Sequence, residues 1–471
     1  MISKKNSTLF FCFGLFLLNF ILKILFVSST DISLDEPYTI FFPQKSISGI
    51  LEIIKTDNTP PLYYFLMHFW IKLFGIGSFS VRFTSVLFSS CTAIIIFLVG
   101  KKHFSLQSAL TASLLFTASS VQMFYAHDAR VYSLFVLLTA YSLYYFLETI
   151  SVQENKNKTP MVLLTVINVL LCYSHFFGFV VIATEIFLCL ILVTLRKNFI
   201  KLLLSTGIVV VCYAWYIPIV FQRFIASSGG TWVPKPLLTD LYTMLWRFSN
   251  VPVVTVFFLI ILFYGCLFKW KSNNNSSNNV FKILLLFFTV CYFGLFVISF
   301  IMPVFIDRYL LFTSIFYYLL VAVSLSSITK TSKYSYLLSS ISVILMFATL
   351  DITKGKKANP KALVEDIRSN FIQPINIIIT PEWSDLNFVY YYDRKWFTYT
   401  EHLRDTLASH SIFPVNNPNS LFSLNLNNAT ILIDDNSHND SLKNFLNERF
   451  DFKGEKDFGN GLKYIAYSVK K

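Results

Sequence analysis

Long apolar segments alternate with short polar stretches along most of the chain, and this pattern predicts helices that span a membrane. A stretch of about 20 apolar residues matches the roughly 30 Å hydrocarbon core at about 1.5 Å rise per residue. Residues 9–27 resemble a signal peptide, but the apolar run is longer than usual and no small-residue cleavage site follows, so we interpret it as the first span. Eleven spans are predicted, at about residues 9–27, 79–100, 105–124, 131–150, 160–176, 179–195, 202–221, 251–270, 281–302, 309–328 and 335–350.

The segment between the first two spans, residues 28–78, is a long, semi-polar loop that is rich in aromatic residues. Its two apolar patches, at residues 38–42 and 62–74, are too short or too interrupted to cross a bilayer. They predict amphipathic helices that lie in the membrane interface.

The composition changes beyond residue 350, where about one residue in four is charged. A capped helical stretch starts at Asn359, and residues 440–450 have the pattern of another. The sequence therefore predicts an all-α polytopic membrane protein over residues 1–351, followed by a small C-terminal α/β domain over residues 352–471. The predicted strands of that domain are residues 375–380, 429–434 and 464–469.

The overall composition agrees with a membrane protein. With 55% hydrophobic and 14% charged residues, the chain has too few polar groups to cover a soluble globule of 471 residues. The seven cysteines lie inside apolar segments and lack the spacing of metal ligands or disulfide pairs. We interpret them as small packing residues, and no metal site is predicted.

A formal net charge of +13 can indicate a nucleic-acid partner, so the location of the basic residues decides its meaning. Up to residue 351 there are 24 basic and 12 acidic residues, against 15 and 14 afterwards, so the surplus belongs to the membrane part and indicates topology. By the positive-inside rule the N-terminus is cytoplasmic and, after eleven spans, the C-terminal domain is extracytoplasmic. No nucleic-acid partner is expected. The cations used are Lys4, Lys5, Lys101, Lys102, Lys156, Lys158, Arg196, Lys197, Lys269, Lys271, Lys330 and Lys333.

The predicted outer loops contain polar clusters that lipid-facing helices do not need. Ionisable groups at a membrane boundary cost free energy unless they are solvated, paired or used. Taken singly, they can be solvated loop charges, a structural ion pair, an interface histidine or a snorkelling cation. The clusters are Asp35 with Glu36, residues 59–64, residues 127–132, residues 173–175 and residues 307–309.

Taken together, these clusters supply what the transfer of a group from a lipid phosphate requires. A carboxylate can accept the proton of an attacking hydroxyl, and Asp35 is the candidate base. Guanidinium groups fork onto phosphate oxygens, and Arg130 and Arg308 are the candidate phosphate clamps. Nearby aromatic residues can stack against a sugar or a prenyl chain, with core packing as the alternative role. These are Tyr63, Tyr64, Tyr125 and Tyr132.

Five motifs follow one another on the predicted outer face: Leu34-Asp35-Glu36, Pro60-Pro61-Leu62-Tyr63-Tyr64, Asp128-Ala129-Arg130-Val131-Tyr132, Tyr173-Ser174-His175-Phe176-Phe177-Gly178 and Arg308-Tyr309-Leu310-Leu311. Each motif is weak by itself. Their order resembles that of the dolichyl-phosphate-mannose protein mannosyltransferases of the GT-C superfamily, whose bacterial relatives include the aminoarabinose transferases. The resemblance covers roughly residues 9–350.

This resemblance implies an integral-membrane inverting glycosyltransferase. It implies transfer of one sugar from a polyprenyl-phosphate donor to a hydroxyl of a protein, glycolipid or envelope polymer, at the outer face of a bacterial or archaeal cell membrane. It implies catalytic roles for Asp35 and Glu36 and roles at the donor for Asp128 and Arg130, and we add His175 as a supporting residue. The family often has glutamine at His127 and glutamate at Asp128, so the shorter carboxylate here is assigned a positioning role. No Asp-x-Asp motif is present, so no cofactor or metal is expected.

Two other classes of function fit part of the pattern. A transporter or flippase can line its substrate path with outward carboxylates and arginines, but such proteins commonly carry inverted repeats, and none is evident here. A membrane scaffold for the outer domain is the third interpretation, although eleven spans and five polar clusters exceed what an anchor needs. The enzyme is therefore the leading hypothesis.

Overall fold

The computed structural model describes residues 4–57, 59–151, 158–227, 233–271, 276–328, 332–352, 358–372, 374–398, 401–422, 426–437 and 439–470. Lys156 and Lys330, two of the cations used for the predicted topology, lie outside the described residues. The chain separates into two compact units. Unit 1 comprises Met1–Val27, Leu51–Tyr63 and Arg82–Ile352, and unit 2 comprises Ser28–Ile50, Tyr64–Val81 and Thr353–Lys471.

Most of the described residues are helical. The helices up to residue 352 are α1 (Lys4–Ile24), α2 (Glu36–Phe41), α3 (Ile47–Thr56), α4 (Pro61–Phe74), α5 (Ser78–His103), α6 (Leu106–Thr117), α7 (Ser120–Ala126), α8 (Tyr132–Ser151), α9 (Thr159–Ser174), α10 (Gly178–Ile191), α11 (Phe199–Tyr213), α12 (Ile217–Ser227), α13 (Leu238–Phe248), α14 (Pro252–Lys271), α15 (Ser276–Ile298), α16 (Asp307–Leu310), α17 (Ser314–Ser327) and α18 (Ser332–Ala348).

The remaining elements form the C-terminal part of the chain. They are α19 (Pro360–Asn370), β1 (Asn376–Thr380), α20 (Asp385–Tyr392), α21 (Arg394–Thr398), α22 (Leu403–Ser409), β2 (Ile412–Pro414), β3 (Thr430–Asp435), α23 (Asp440–Arg449), β4 (Phe450–Asp457) and β5 (Leu462–Val469), with short 3-10 helices at Phe42–Gln44, Val193–Asn198, Leu311–Thr313, Glu382–Ser384 and Pro418–Leu421.

The helices identify an integral multi-pass membrane protein. Six described helices are long and apolar enough to cross a membrane, or eight if two bent pairs each count as one span. Each of the eleven predicted segments overlaps a helix. The structure gives fewer spans than the eleven predicted for two reasons. Bends of 60° between α6 and α7 and of 117° after α10 interrupt two apolar stretches, and α9 and α18 are shorter than the other spans. The number eleven and the orientation of the termini stay predictions.

Helix α17 lies at the centre of unit 1. Every side chain from Ser314 to Leu325 is buried, as expected of a helix that is apolar on all sides. It packs against α6, α14, α15 and α18. Because α16 leads into it through the 3-10 helix at Leu311–Thr313, this buried helix fixes the position of Arg308.

Asn250 stabilises the break between α6 and α7. Its backbone is in the left-handed region (φ 67°), which asparagine tolerates better than most residues. Its Oδ1 accepts the N–H of Ser120 at 2.7 Å, while its Nδ2 donates to the carbonyl oxygens of Ala118 and Met346 at 2.8 and 2.9 Å. Asn250 therefore replaces helical hydrogen bonds that the break removes, and it directs α7 towards residues 127–130.

Unit 2 contains a five-stranded sheet with the order β2-β1-β3-β5-β4. Strands β2, β1 and β3 are parallel, while β5 runs antiparallel to β3 and β4. A bulge interrupts the pairing of β4 and β5 between Phe452 and Gly454. The predicted strands correspond to β1, β3 and β5 and the predicted helices to α19 and α23, whose caps Asn359 and Asn439 accept backbone N–H groups. Strands β2 and β4 and helices α20–α22 were not predicted.

Part of the loop at residues 28–78 packs on this α/β fold within unit 2. The N–H of Ile32 donates to the Tyr391 hydroxyl at 2.6 Å, the N–H of Lys361 donates to Asp31 Oδ2 at 3.1 Å, and the rings of Phe41 and Phe397 lie 5.3 Å apart. The sequence-based division at 351/352 placed all of residues 28–78 with the membrane domain, and the structure differs there by grouping Ser28–Ile50 and Tyr64–Val81 with unit 2. The apolar patches of the loop are helices α2 and α4, and their place in the membrane interface stays a prediction.

We expect Asn250→Gly to lower the free energy of unfolding by about 3 kcal/mol, at about 1 kcal/mol for each lost hydrogen bond, because glycine accepts the positive φ but lacks the amide. Thermal unfolding of the detergent-solubilised protein measures this. Thr349→Val, which removes a hydroxyl bonded only within its own helical turn, serves as the control. An unchanged midpoint for the glycine variant would contradict the role of Asn250.

Candidate active site

The acidic loop, Ser33–Glu36, begins with a backbone outlier. Leu34 has a φ of 57°, in the left-handed region that a leucine rarely adopts. Asp35 caps α2, which begins at Glu36 with Pro37 in its first turn. The side chain of Asp35 is half-buried, whereas Glu36 is completely buried. The turn thus leaves Asp35 accessible to a substrate while it encloses its neighbour.

Helix α20 lies beside the acidic loop within unit 2. The Tyr38 hydroxyl donates to the carbonyl oxygen of Trp383. Burial raises the pKa of Tyr38, and the carboxylates of Asp385 and Asp35 raise it further. Burial also raises the pKa of Asp385 to about 6, against the opposing charge of Arg404, whose Nε lies 3.2 Å from Asp385 Oδ2. Asp35 is therefore part of a group of carboxylates around one tyrosine.

The cationic cluster, Arg130, Arg308 and His175, lies in unit 1. Arg130 is in the turn between α7 and α8, Arg308 is in α16, and His175 ends α9. Both arginines are half-buried, and both lie close enough to His175 to affect its charge. The guanidinium carbon of Arg308 lies 5.3 Å from the centre of the Tyr309 ring. Two arginines in partly buried positions suit an anion such as a phosphate.

His175 is a neutral member of this cluster. Burial, together with the charges of Arg308 and Arg130, lowers its pKa to about 3, and it lies in the break between α9 and α10, outside the described helices that are long and apolar enough to cross a membrane. Its Nδ1 accepts the N–H of Phe177 at 3.2 Å, so the ring proton is on Nε2. Its ring stacks on Phe135 at 4.9 Å. His175 can therefore donate a hydrogen bond but supplies no positive charge.

Aromatic residues and the carboxylate of Asp307 lie beside the cationic cluster. Tyr132 lies 6.3 Å from His175 and 5.2 Å from Tyr125, measured between ring centres. The Tyr125 hydroxyl donates to Asp307 Oδ1 at 2.9 Å, and Asp307 also forms an ion pair with Arg247. The side chain of Asp307 is thus bonded to Tyr125 and Arg247, although Asp307 directly precedes Arg308 in the chain.

Asp128 and Tyr63 lie beside Arg130. The Ser85 hydroxyl donates to the backbone oxygen of Asp128 at 2.7 Å, and the Asp128 side chain is nearly buried. Burial raises the pKa of Tyr63 to about 12, with Asp128 and Arg130 among the charges that act on it. Tyr63 is completely enclosed and packs in the core of unit 1.

Six of the predicted site residues therefore lie together in unit 1, and three lie in unit 2. In unit 2, Tyr64 is buried with its ring edge-on to Phe42 at 6.3 Å, which is a packing role. The unit 1 residues are Tyr63, Asp128, Arg130, Tyr132, His175 and Arg308, and the unit 2 residues are Asp35, Glu36 and Tyr64.

The sequence analysis missed three buried ionisable residues in unit 1. Lys23 Nζ donates to Ser89 Oγ at 2.5 Å and lies 5.1 Å from the centre of the Phe116 ring. Arg82 is completely buried and donates to the carbonyl oxygen of Val27 at 2.9 Å. Glu185 accepts hydrogen bonds from Ser142 and Asn168. A single ionisable residue inside an apolar run was the available signal in each case.

Among the residues that the structure describes, no group of three or more histidine, cysteine, aspartate or glutamate side chains is arranged to hold a metal ion.

Comparison with solved structures identifies the fold. ArnT from Cupriavidus metallidurans bound to undecaprenyl phosphate matches with a TM-score of 0.63 at 10% identity, over 98% of this chain and 97% of that chain. Its apo state matches with a TM-score of 0.50 at 11% identity, over 98% of both chains. The Archaeoglobus fulgidus oligosaccharyltransferase tethered with an acceptor peptide gives 0.51 at 12% identity, over 88% of this chain and 64% of that one. The chain therefore shares the fold of these proteins.

The sequence match is narrower than the fold match. Residues 58–217 match the model of the family described as dolichyl-phosphate-mannose-protein mannosyltransferase. No curated protein matches the chain in sequence. The matched segment contains Arg130 and His175 but neither Asp35 nor Arg308. The resemblance inferred from the motifs is confirmed: residues 58–217 are similar to the mannosyltransferase family, and the fold is shared with ArnT.

We expect acid to destabilise the wild-type protein more than His175→Gln. The unfolded imidazole binds a proton below about pH 6.5 and the folded one only below about pH 3, so stability is complete above pH 6.5 and falls as the pH drops through this window. The excess loss at pH 5 should be about 2 kcal/mol. Denaturant unfolding at pH 7 and pH 5 measures it, and equal pH dependence in both proteins would contradict the neutral, buried state.

Proposed function

We propose that this protein is an inverting glycosyltransferase that moves one sugar from a polyprenyl-phosphate donor to a hydroxyl of a protein, glycolipid or envelope acceptor. The observation that carries the proposal is the pair of half-buried arginines around the neutral His175. It is supported by the fold shared with ArnT, whose matched structure is bound to undecaprenyl phosphate. The acceptor side of the membrane is proposed to be the extracytoplasmic face.

Transfer proceeds by a single displacement. Asp35 accepts the proton of the acceptor hydroxyl, whose oxygen forms a bond to the anomeric carbon of the sugar. The bond from that carbon to the phosphate oxygen breaks, and the electron pair stays on the departing polyprenyl phosphate. Attack from the face opposite the leaving group inverts the anomeric configuration.

The cationic cluster stabilises the departing phosphate. Arg130 and Arg308 donate to its oxygens and offset the charge that develops as the bond breaks. His175 adds a neutral donor from Nε2, and Tyr132 contributes an aromatic surface for the sugar or the prenyl chain. Asp128 positions Arg130, and no metal cofactor takes part.

Glu36 acts as a positioning residue for the base. It is completely buried, and its backbone N–H donates to the carbonyl oxygen of Ser33 at 3.2 Å, which closes the turn that presents Asp35. The half-buried Asp35 is the carboxylate of this pair that a substrate can reach.

The function is tested by identifying the donor. We expect a polyprenyl-linked sugar to accumulate when the gene is deleted, and mass spectrometry of the lipid extract gives the mass of that sugar. The purified protein should then release polyprenyl phosphate from this lipid and form a glycosidic bond. Movement of the lipid across vesicle membranes without formation of that bond would favour a transporter instead.

Asp35→Asn should lower turnover at least about 100-fold, because the amide keeps the shape of the side chain but accepts no proton. Donor binding and the thermal unfolding midpoint should stay unchanged. The assay measures sugar transfer in the presence of EDTA, which also tests the proposal that no metal is required. Asp405→Asn, at an exposed carboxylate of α22, is the matched control. Near-normal transfer by the Asp35 variant would reject the base assignment.

Arg130→Lys and Arg308→Lys should each raise the donor concentration for half-maximal rate about tenfold or more, because lysine keeps the charge but loses the planar fork. Initial rates at varied donor concentration measure this effect. Arg196→Lys, at an exposed arginine of unit 1, provides the comparison. If all three variants retain wild-type donor dependence, the arginines do not hold the phosphate.

A further inference from the structure

A recess in unit 2 opens beside the acidic loop. It is open to solvent, and Ser33 and Leu34 form part of its wall. The rest of the wall includes Ser384, Asn387 and Asp435, from the segments that follow β1 and end β3. Asp35 follows Leu34 directly, so the left-handed turn at Leu34 separates the recess from the candidate base by one residue.

The recess lies where sheet topology favours a ligand. Strand β1 is the central parallel strand, with β2 on one side and β3 on the other. The connection that leaves β1 runs to β2 on one side, whereas β3 lies on the other side of β1. A crevice therefore forms between the carboxyl ends of β1 and β3. In open α/β sheets the crevice at such a switch point is the usual place of ligand binding.

Asn387 gives this recess an unused hydrogen-bonding atom. Its side chain is 5% exposed, and its Oδ1 has no hydrogen-bond partner among the described residues. A buried polar atom without a partner destabilises a protein, and a ligand that donates a hydrogen bond to it removes that cost.

The polar atoms of the recess select the chemistry of its ligand. Asn387 Oδ1 is an acceptor, and the carboxylate of Asp435 accepts the Ser384 hydroxyl. Acceptor oxygens attract groups that carry O–H or N–H donors, whereas they repel a phosphate, which presents acceptor oxygens and negative charge. The recess therefore suits a hydroxyl-bearing group and not the phosphate of the lipid donor.

We propose that this recess is the acceptor subsite, which binds a hydroxyl-bearing group of the acceptor beside Asp35. The inference rests on the proposed function, because a base that deprotonates an acceptor hydroxyl requires that acceptor nearby. Asn387 and Asp435 receive hydrogen bonds from hydroxyls of the acceptor, and the reacting hydroxyl of the acceptor extends past Leu34 to the base. The α/β fold is thereby assigned to acceptor selection.

The experiment uses the full-length protein in lipid nanodiscs. It compares transfer of the sugar to the acceptor with hydrolysis of the donor by water. The donor is the polyprenyl-linked sugar that accumulates in the deletion strain, and the acceptor probe is the delipidated envelope fraction or the lipid extract of that strain, each titrated separately. Asn387→Leu removes the unused acceptor atom, and Ala358→Trp fills the recess from its half-buried rim. Ala408→Trp, on the exposed face of α22, is the matched control.

We expect both recess variants to raise the half-saturating amount of acceptor at least tenfold. The ratio of sugar transfer to donor hydrolysis should fall by the same factor. The half-saturating donor concentration should not change. Asn387→Leu should unfold near the wild-type temperature, because it removes an unpartnered buried oxygen together with the 3.5 Å hydrogen bond that Nδ2 donates to Ser384 Oγ. The control should match the wild type.

Three results would overturn the inference. Unchanged acceptor dependence in both recess variants, with an active wild type, rejects the acceptor subsite alone. A raised half-saturating donor concentration assigns the recess to hydroxyls of the donor sugar. A wild-type protein that forms no glycosidic bond with either fraction rejects the proposed function and the subsite with it.

Discussion

The cost of burying charge in a low-dielectric interior is the constraint on which unit 1 depends. Lys23 meets it through the Ser89 hydroxyl and the face of Phe116, and Glu185 meets it through Ser142 and Asn168. The same constraint keeps His175 neutral between two guanidinium groups. Positive charge at the cationic cluster thus belongs to the arginines, whose charge does not vary with physiological pH.

Local apolar pattern predicted where helices occur but could not predict how they bend. Hydrophobicity is a property of each segment, so every predicted span overlaps a helix. The break after α6 depends on Asn250, which lies about 130 residues further along the chain. The strands β1, β3 and β5 were recognisable because they are buried, whereas the exposed β4 and the three-residue β2 carry no such pattern.

The candidate site shows the same limit. Charge and motif order were sufficient to select Asp35, Arg130 and Arg308 from the sequence. The positive φ of Leu34 and the buried amide of Asn387 follow from tertiary packing, as does the grouping of the acidic loop with residues hundreds of positions away. Such contacts leave no pattern in the neighbouring sequence. A single sequence therefore identifies reactive side chains more readily than the residues that line the site around them.

The two edge strands of the sheet affect how neighbouring molecules meet. Strand β2 has three residues and ends at Pro414, while β4 exposes Asp451, Lys453 and Glu455 next to its bulge. Short length, proline, charge and a bulge each interrupt the regular ladder that an incoming strand requires. Where many copies diffuse in one crowded bilayer, their sheets are protected against the edge-to-edge pairing that starts aggregation.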